Sequence, residues 1–277
     1  MTTPTHPLKY HQATFDLLAI EPHVSPEAVE HLKQVEQRLG KPLPAAVREW
    51  YAIQYAIAIL ARYSNEDHPL SVQKLGNQDL SMYKYGQERL LAEGMLVFLI
   101  ENQAVCYWAV WLDGSDDPPV VVGIVSSTAI RWDIHAEHFS TFVYTRVWDF
   151  QPWVDACCHL YAHDQLLAPA DLAILRSQFR EGPQTYAWPA TISYRFSRDG
   201  QHIVIWNDEH RQADWSLWAS SEQGLHELVS TVWHFGTLAE TLEPGIVVSY
   251  EEGHEEYGPD PAGERVLTVL RNCHNES

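Results

Sequence analysis

Apolar residues recur at helical spacing in the first part of the chain, where Ala28, Leu32, Val35 and Leu39 form one stripe. Ser25 supplies an N-cap oxygen, Pro26 suits the first helical position, and Glu27 places a carboxylate at the positive end of the helix dipole. Gly40 suits the C-cap position. The segment "KPLP" interrupts the pattern. A second helix is expected over 44–61, presenting Val47, Trp50, Tyr51, Ile57 and Ala61. From Met95 the period falls to two. The stretches "MLVFLI", "VCYWAVWL", "PPVVVGIV" and "AIRWDI" are rich in β-branched and aromatic residues and are separated by turn signals at Glu101-Asn102 and Asp113-Gly114. They predict an antiparallel meander over 95–133.

Phe139, Phe142, Val143, Val147 and Phe150 return to helical spacing. A further helix containing Cys157, Cys158 and Tyr161 is expected after Pro152, and another begins at Pro169. Beyond Gly182-Pro183 the pattern predicts strands at "TISYRFS", "HIVIW" and "DWSLWAS", with a hairpin turn at Asp199-Gly200. "HFSTFVYTRVWDF" (138–150) and "GLHELVSTVWHF" (224–235) each follow a run of strands, a weak internal repeat. The acidic "EEGHEEYGPDPAGE" reads as a loop between two short strands, "GIVVSY" and "RVLTVL". The expected fold class is α+β: N-terminal helices packed with a mainly antiparallel sheet, then a second sheet-plus-helix unit. The expected domains are 1–164 and 165–277.

Composition narrows the functional classes. Residues 1–100 hold 11 acids and 9 bases, whereas 101–277 hold 26 acids and 9 bases. So acidic a chain lacks the basic patch that nucleic acid or an anionic membrane would need, and its natural complement is a basic protein. The longest apolar candidate, "YAIQYAIAILARY", is broken by Gln54 and ends near Arg62, short of the ~20 residues of a membrane helix. The start of the sequence has no signal-peptide pattern, and the four cysteines have no disulfide-framework spacing. A cytoplasmic location is therefore expected.

Three segments in order carry a resemblance. "VEQRLGKPLPAAVREWY" is similar to the N-terminal signature of the SUKH superfamily, through Glu36, Leu39-Gly40, Leu43-Pro44 and Trp50. "LVFLIENQAVCYWAVWLDGSDDPPV" resembles that superfamily's central hairpin, and "HFSTFVYTRVW" the helix after its sheet. The match covers roughly 25–150. It departs where "AIQYAIAILARY" replaces a Gly-rich turn. The resemblance implies an α+β fold and protein binding without catalysis. Bacterial members resemble immunity proteins that neutralise a toxin domain, often a nuclease or deaminase, and fungal relatives are regulators.

The candidate chemistry agrees with binding. Asp113, Asp116 and Asp117 crowd one Gly/Pro-containing turn, where Asp is favoured for turn chemistry and is also available to a partner. Trp108 and Trp111 have opposite parity on one strand, so one faces the core and the other the opposite side. Trp132, beside Asp133, lies on the neighbouring segment, and an outward Trp near acids is a typical interface anchor. Glu101, Trp111, Asp113, Asp116, Asp117, Trp132 and Asp133 are therefore the expected partner-binding residues, with no catalytic residue, metal or cofactor. The expected partner is a cognate toxin domain or another basic protein. Two alternatives stand: an intracellular scaffold or regulator, and a metal-dependent hydrolase using the histidines, among them the pairs His135/His138 and His159/His163, with scattered carboxylates. No phosphate loop, nucleophile elbow or zinc-protease motif supports the last.

Overall fold

A computed structural model describes residues 7–77, 87–126, 129–154, 158–165, 167–208, 213–251 and 254–275. The chain forms two compact units, Met1–Phe150 and Gln151–Ser277.

In the first unit, α1 (Gln12–Leu18) precedes α2 (Pro26–Leu39), α3 (Ala45–Ala52) and α4 (Ala56–Arg62). α2 is built as its sequence dictates. Ser25 accepts a hydrogen bond from the Ala28 amide at 3.2 Å, and Gly40 closes the helix at φ 68°. Its Leu32 and Val35 are buried, and it packs on α3. Glu36 accepts from the Leu43 amide (2.9 Å) and from Arg48 Nε (3.0 Å), fixing the turn that leads into α3. The expected single helix over 44–61 is in fact two. Ile53 forms a bridge with Val24, and Tyr55 sits at φ 69°. This tertiary pairing breaks a run that is apolar enough to continue.

β1 (His68–Pro69) is followed by α5 (Gln87–Ala92), β2 (Met95–Ile100), β3 (Cys106–Trp111), β4 (Val120–Val125) and β5 (Ile130–Ala136). Their sheet order is β1-β2-β3-β4-β5, antiparallel throughout, so the predicted meander is present. α6 (Phe139–Val154) follows directly. Phe98 meets Phe139 and Phe142 edge-on, both at 5.1 Å between centroids, while His11 and Phe15 pack on Trp50. These rings make the core. Arg146 of α6 is buried over the Trp108 and Phe150 rings and pairs with buried Asp67. Burial lowers its pKa to about 10, which leaves it charged at neutral pH.

The first strand of the second unit is β6 (Cys158–Gln165), where a helix was expected. Leu160 and Ala162 enter the core of this unit, and β6 pairs with a later strand, so alternation overrides helical spacing. Cys157 lies outside the described residues. Next come α7 (Pro169–Gln178), β7 (Arg180–Glu181), β8 (Thr185–Tyr186), β9 (Ile192–Arg198), β10 (Gln201–Asn207), β11 (Ala213–Ala219), α8 (Glu222–Val232) and α9 (Leu238–Thr241). β12 (Glu243–Pro244) completes a sheet of order β12-β6-β11-β10-β9-β7, with β8 also on β9. Asp199 (φ 46°) and Gly200 (φ 75°) form the predicted turn, both left-handed as a tight hairpin requires.

The chain ends with β13 (Ile246–Glu251), β14 (His254–Pro259) and α10 (Pro261–Asn275). The acidic stretch is thus partly strand, and "RVLTVL" is helical rather than strand. Asp260 is the cause: its carboxylate accepts from the Ala262 and Gly263 amides at 3.0 and 3.1 Å and so caps α10, with Pro261 opening the helix. Val266, Leu267 and Leu270 then join Leu225, Leu228, Val229 and Val232 of α8 over the apolar face of the sheet.

Candidate partner-binding face

Strand register decides which candidate residues share a face. Trp111 lies on the same side of β3 as Tyr107; Tyr107 pairs with Gly123, and Gly123 with Trp132. Val121 pairs with Ile134 on that side too. The opposite side of β3 carries Trp108, which is 1% exposed and packs on Phe142. The parity expectation therefore holds for the two tryptophans. The centre of the Trp111 face is closed, with Val97, Tyr107 and Ala109 buried. Its margin is open: Trp111 is 47% exposed, Ile134 is 40% exposed, and Trp132 is half-buried.

Gly123 explains how Trp132 lies. A Cβ there would come within 2.7 Å of the outer edge of the Trp132 ring and of an Ile130 methyl, so these side chains close over bare backbone. This close approach is a reason for glycine inside a strand.

The acidic loop between β3 and β4 holds three carboxylates with three different surroundings. Asp113 is exposed, and its Oδ1 accepts from the Ser115 amide at 2.9 Å. That hydrogen bond, aided by the Ser115 side chain, lowers its pKa below the usual carboxylate value. Asp116 accepts from the Tyr10 hydroxyl (3.1 Å) and lies 3.5 Å from Lys9 Nζ. Its backbone carbonyl also accepts from the Ala46 amide at the start of α3. Asp117 accepts from both the amide (3.0 Å) and the hydroxyl (2.5 Å) of Ser140, in the first turn of α6. Asp117 is thus a helix cap supplied from a distant loop, and Asp116 ties the loop to the N-terminal segment. Of the three, Asp113 is the one whose contacts are purely local.

The remaining candidates disperse. Glu101 lies at the other end of β3 from Asp113, roughly 20 Å away at ~3.4 Å per strand residue. Its carboxylate accepts from the Gln103 and Val105 amides and closes its own hairpin. Asp133 points to the opposite side of β5 from Trp132 and pairs with Arg131 at 2.7 Å. The structure puts Trp111 and Trp132 on one face, two strands and four residues apart, roughly 17 Å by strand geometry, with Asp113 just beyond the end of β3. It does not bring in Glu101 or Asp133. Sequence reasoning missed Ile134. Its alternation with Trp132 could have revealed it, but not its exposure.

His135 is buried against Trp108 and Phe142, and His138 Nδ1 lies 3.0 Å from the Asp117 carbonyl. His159 Nε2 is 2.8 Å from Ser216 Oγ, the separation of a base and a nucleophile. Both residues are fully buried, however, and burial lowers the His159 pKa to about 4, leaving a weak base. Asp260 binds the His159 backbone amide rather than its ring. The pair is a cross-strand contact inside the sheet. His163 places its two ring nitrogens against different carboxylates, Asp214 and Glu243, rather than converging with them on one point. Among the described residues, no group of three or more His, Cys, Asp or Glu side chains is placed to hold a metal ion. Among the same residues, no helix is long and apolar enough to cross a membrane.

No family model matches the chain, and no curated protein or solved structure is significantly similar to it.

Proposed function

We propose that this chain is a non-catalytic protein-binding protein of SUKH type, whose first unit docks a basic partner on the Trp111–Trp132–Ile134 face. The observation that carries the reading is that two tryptophans, Trp111 and Trp132, stand partly exposed on one face of the sheet, with the exposed Asp113 just beyond the end of β3. Aromatic anchors that lose water on contact, rimmed by charge, are the usual energetic centre of a protein interface. The first unit carries 18 acids and 11 bases, which suits a cationic partner.

The partner class that fits best is a basic toxin domain, a nuclease or deaminase, neutralised by an immunity protein. Such a partner exposes a cationic surface meant for nucleic acid, and an acidic protein can occupy it. The order of elements supports this reading: two packed helices, an antiparallel meander, then a helix on the sheet. The signature residues Glu36, Leu43 and Trp50 are used for folding, so the resemblance rests on architecture while the partner face lies elsewhere.

The test is a pull-down of the adjacent gene's product with the full chain, repeated with Trp111→Ala. Capture by the wild type, and at least about tenfold weaker binding by a folded variant, would support the reading. Equal capture by both would remove this face from it.

A further inference from the structure

The second unit carries a cluster that the reading above does not use. Trp153, at the end of α6, is 41% exposed. Its ring meets Tyr161 at 6.0 Å and 85°, edge to face. Tyr161 lies 6.0 Å from Trp206 at 25°, and 5.0 Å from His163. Beside these rings, His163 sits between Asp214 (3.2 Å) and Glu243 (3.4 Å). The side chains of His163, Asp214 and Glu243 are 54, 46 and 59% exposed. Strand register explains the grouping. Tyr161 and His163 lie on one side of β6, Glu243 pairs with Tyr161, and Asp214 pairs with Trp206. All six residues therefore stand on the sheet side opposite the apolar core.

The geometry points to a recognition site for an arginine side chain of a partner polypeptide. Ring faces carry negative potential and attract a cation placed over them. Carboxylates alone would make only an acidic cluster, and rings alone only an apolar patch. Together they match guanidinium, which is planar, stacks on aromatic faces and donates in a fork to carboxylate oxygens. Tyr161 and Trp206 lie 25° apart in plane and, with Trp153 at nearly a right angle to Tyr161, form one continuous aromatic surface at whose margin the exposed Trp153 ring is the most accessible. His163 lies against one oxygen of each carboxylate, and both carboxylate side chains are about half exposed to solvent. A quaternary ammonium fits less well because it has no donor for those oxygens. Ammonium donates, but it does not stack. The charge of the unit agrees, with 19 acids against 7 bases. The site belongs to a different unit from the Trp111 face, so it stands or falls independently of the proposed function.

The test uses the full chain, with the Trp153 and Trp206 indole N–H signals followed by NMR. N-acetyl-arginine amide is titrated against its neutral isostere, the citrulline derivative, and against N-acetyl-lysine amide and choline. The expected result is a saturable millimolar shift of both indole signals with arginine. Citrulline should bind at least about tenfold more weakly, with lysine and choline between them. Trp153→Phe should keep most of the affinity, whereas Trp153→Ala and the pair Asp214→Asn with Glu243→Gln should each reduce it about tenfold. Dispersed spectra of each variant establish folding. Equal binding of citrulline, binding of choline as tight as that of arginine, or no saturable shift with arginine would each overturn the site.

Discussion

Asp113 and Asp117 share one loop, yet their carboxylates have different uses. Asp117 caps α6 through Ser140, while Asp113 closes only a local turn. Asp117→Ala is expected to cost about 1 kcal/mol, as helix-cap losses do, and to lower the melting temperature by roughly 2–4 °C. Asp113→Ala should stay within about 0.5 kcal/mol. Thermal unfolding of the two variants checks this, and a larger loss at Asp113 would reverse the assignment. Buried histidines set the pH dependence at the same scale. Burial lowers the pKa of His159 and of His202 from 6.5 to about 4, and it lowers that of buried His11 as well. His202 stacks on Trp218 at 3.7 Å. A depressed histidine pKa means that the unfolded chain binds more protons between the two values. Stability is therefore full above pH ~6.5 and falls as the pH drops towards ~4, by up to about 3 kcal/mol for a fully buried ring. His202→Phe keeps a stacking ring and removes one titration. Chemical denaturation from pH 7 to 4 should show a slope reduced by up to about one proton in that window. An unchanged slope would remove His202 from the account.

Elements are decided by partners as much as by pattern. α3 and α4 are separate because Ile53 pairs with Val24, which leaves exposed Tyr55 at a positive φ. Left-handed backbone costs a side-chain-bearing residue roughly 1–2 kcal/mol. Tyr55→Gly should therefore preserve or raise stability, by up to roughly 1 kcal/mol. Tyr55→Val should lower it, because a β-branched residue tolerates that conformation least. Differential scanning calorimetry separates the two, and a stabilising Val would argue for a continuous helix. β6 teaches the same lesson in reverse. His159 and His163 are four apart, a spacing that suits one helix face and equally one strand face. Pairing with β11 and β12 selects the strand.

For the whole molecule, the summed charge sets the expectation for a cationic partner of the proposed kind. The net charge is −19, spread over both units. A single exposed ion pair contributes about 0–1 kcal/mol, but the summed field can raise association rates ~10–10³-fold at low salt. Association with a cationic partner is expected to slow as salt rises, with screening over about 8–10 Å. Asp113→Lys should slow association further, and Trp111→Ala should mainly speed dissociation. Asp116 is a poor choice for charge reversal because it also anchors Tyr10 and Lys9. Stopped-flow or surface-binding kinetics at several salt concentrations provide the measurement. An association rate indifferent to salt and to Asp113→Lys would leave the acidity as a solubility feature.

The sequence by itself determined whatever is coded by neighbours along the chain. The Ser25 and Gly40 caps of α2, the Asp199-Gly200 turn, the meander from Met95 and the opposite directions of Trp108 and Trp111 follow from local conformational preference and period. So does the α+β class, because a change of period from 3.6 to 2 marks a change of element. Only the tertiary structure decided which residues meet. Asp117 finds Ser140 across 23 positions, Glu101 is spent on its own hairpin, and Asp133 faces away from Trp132. The Trp153–Tyr161–Trp206 cluster gathers rings from a helix end and two strands. The physical reason is the same throughout. Local sequence fixes backbone geometry within a few residues, whereas strand register and unit boundaries depend on burying the most apolar surface across the chain.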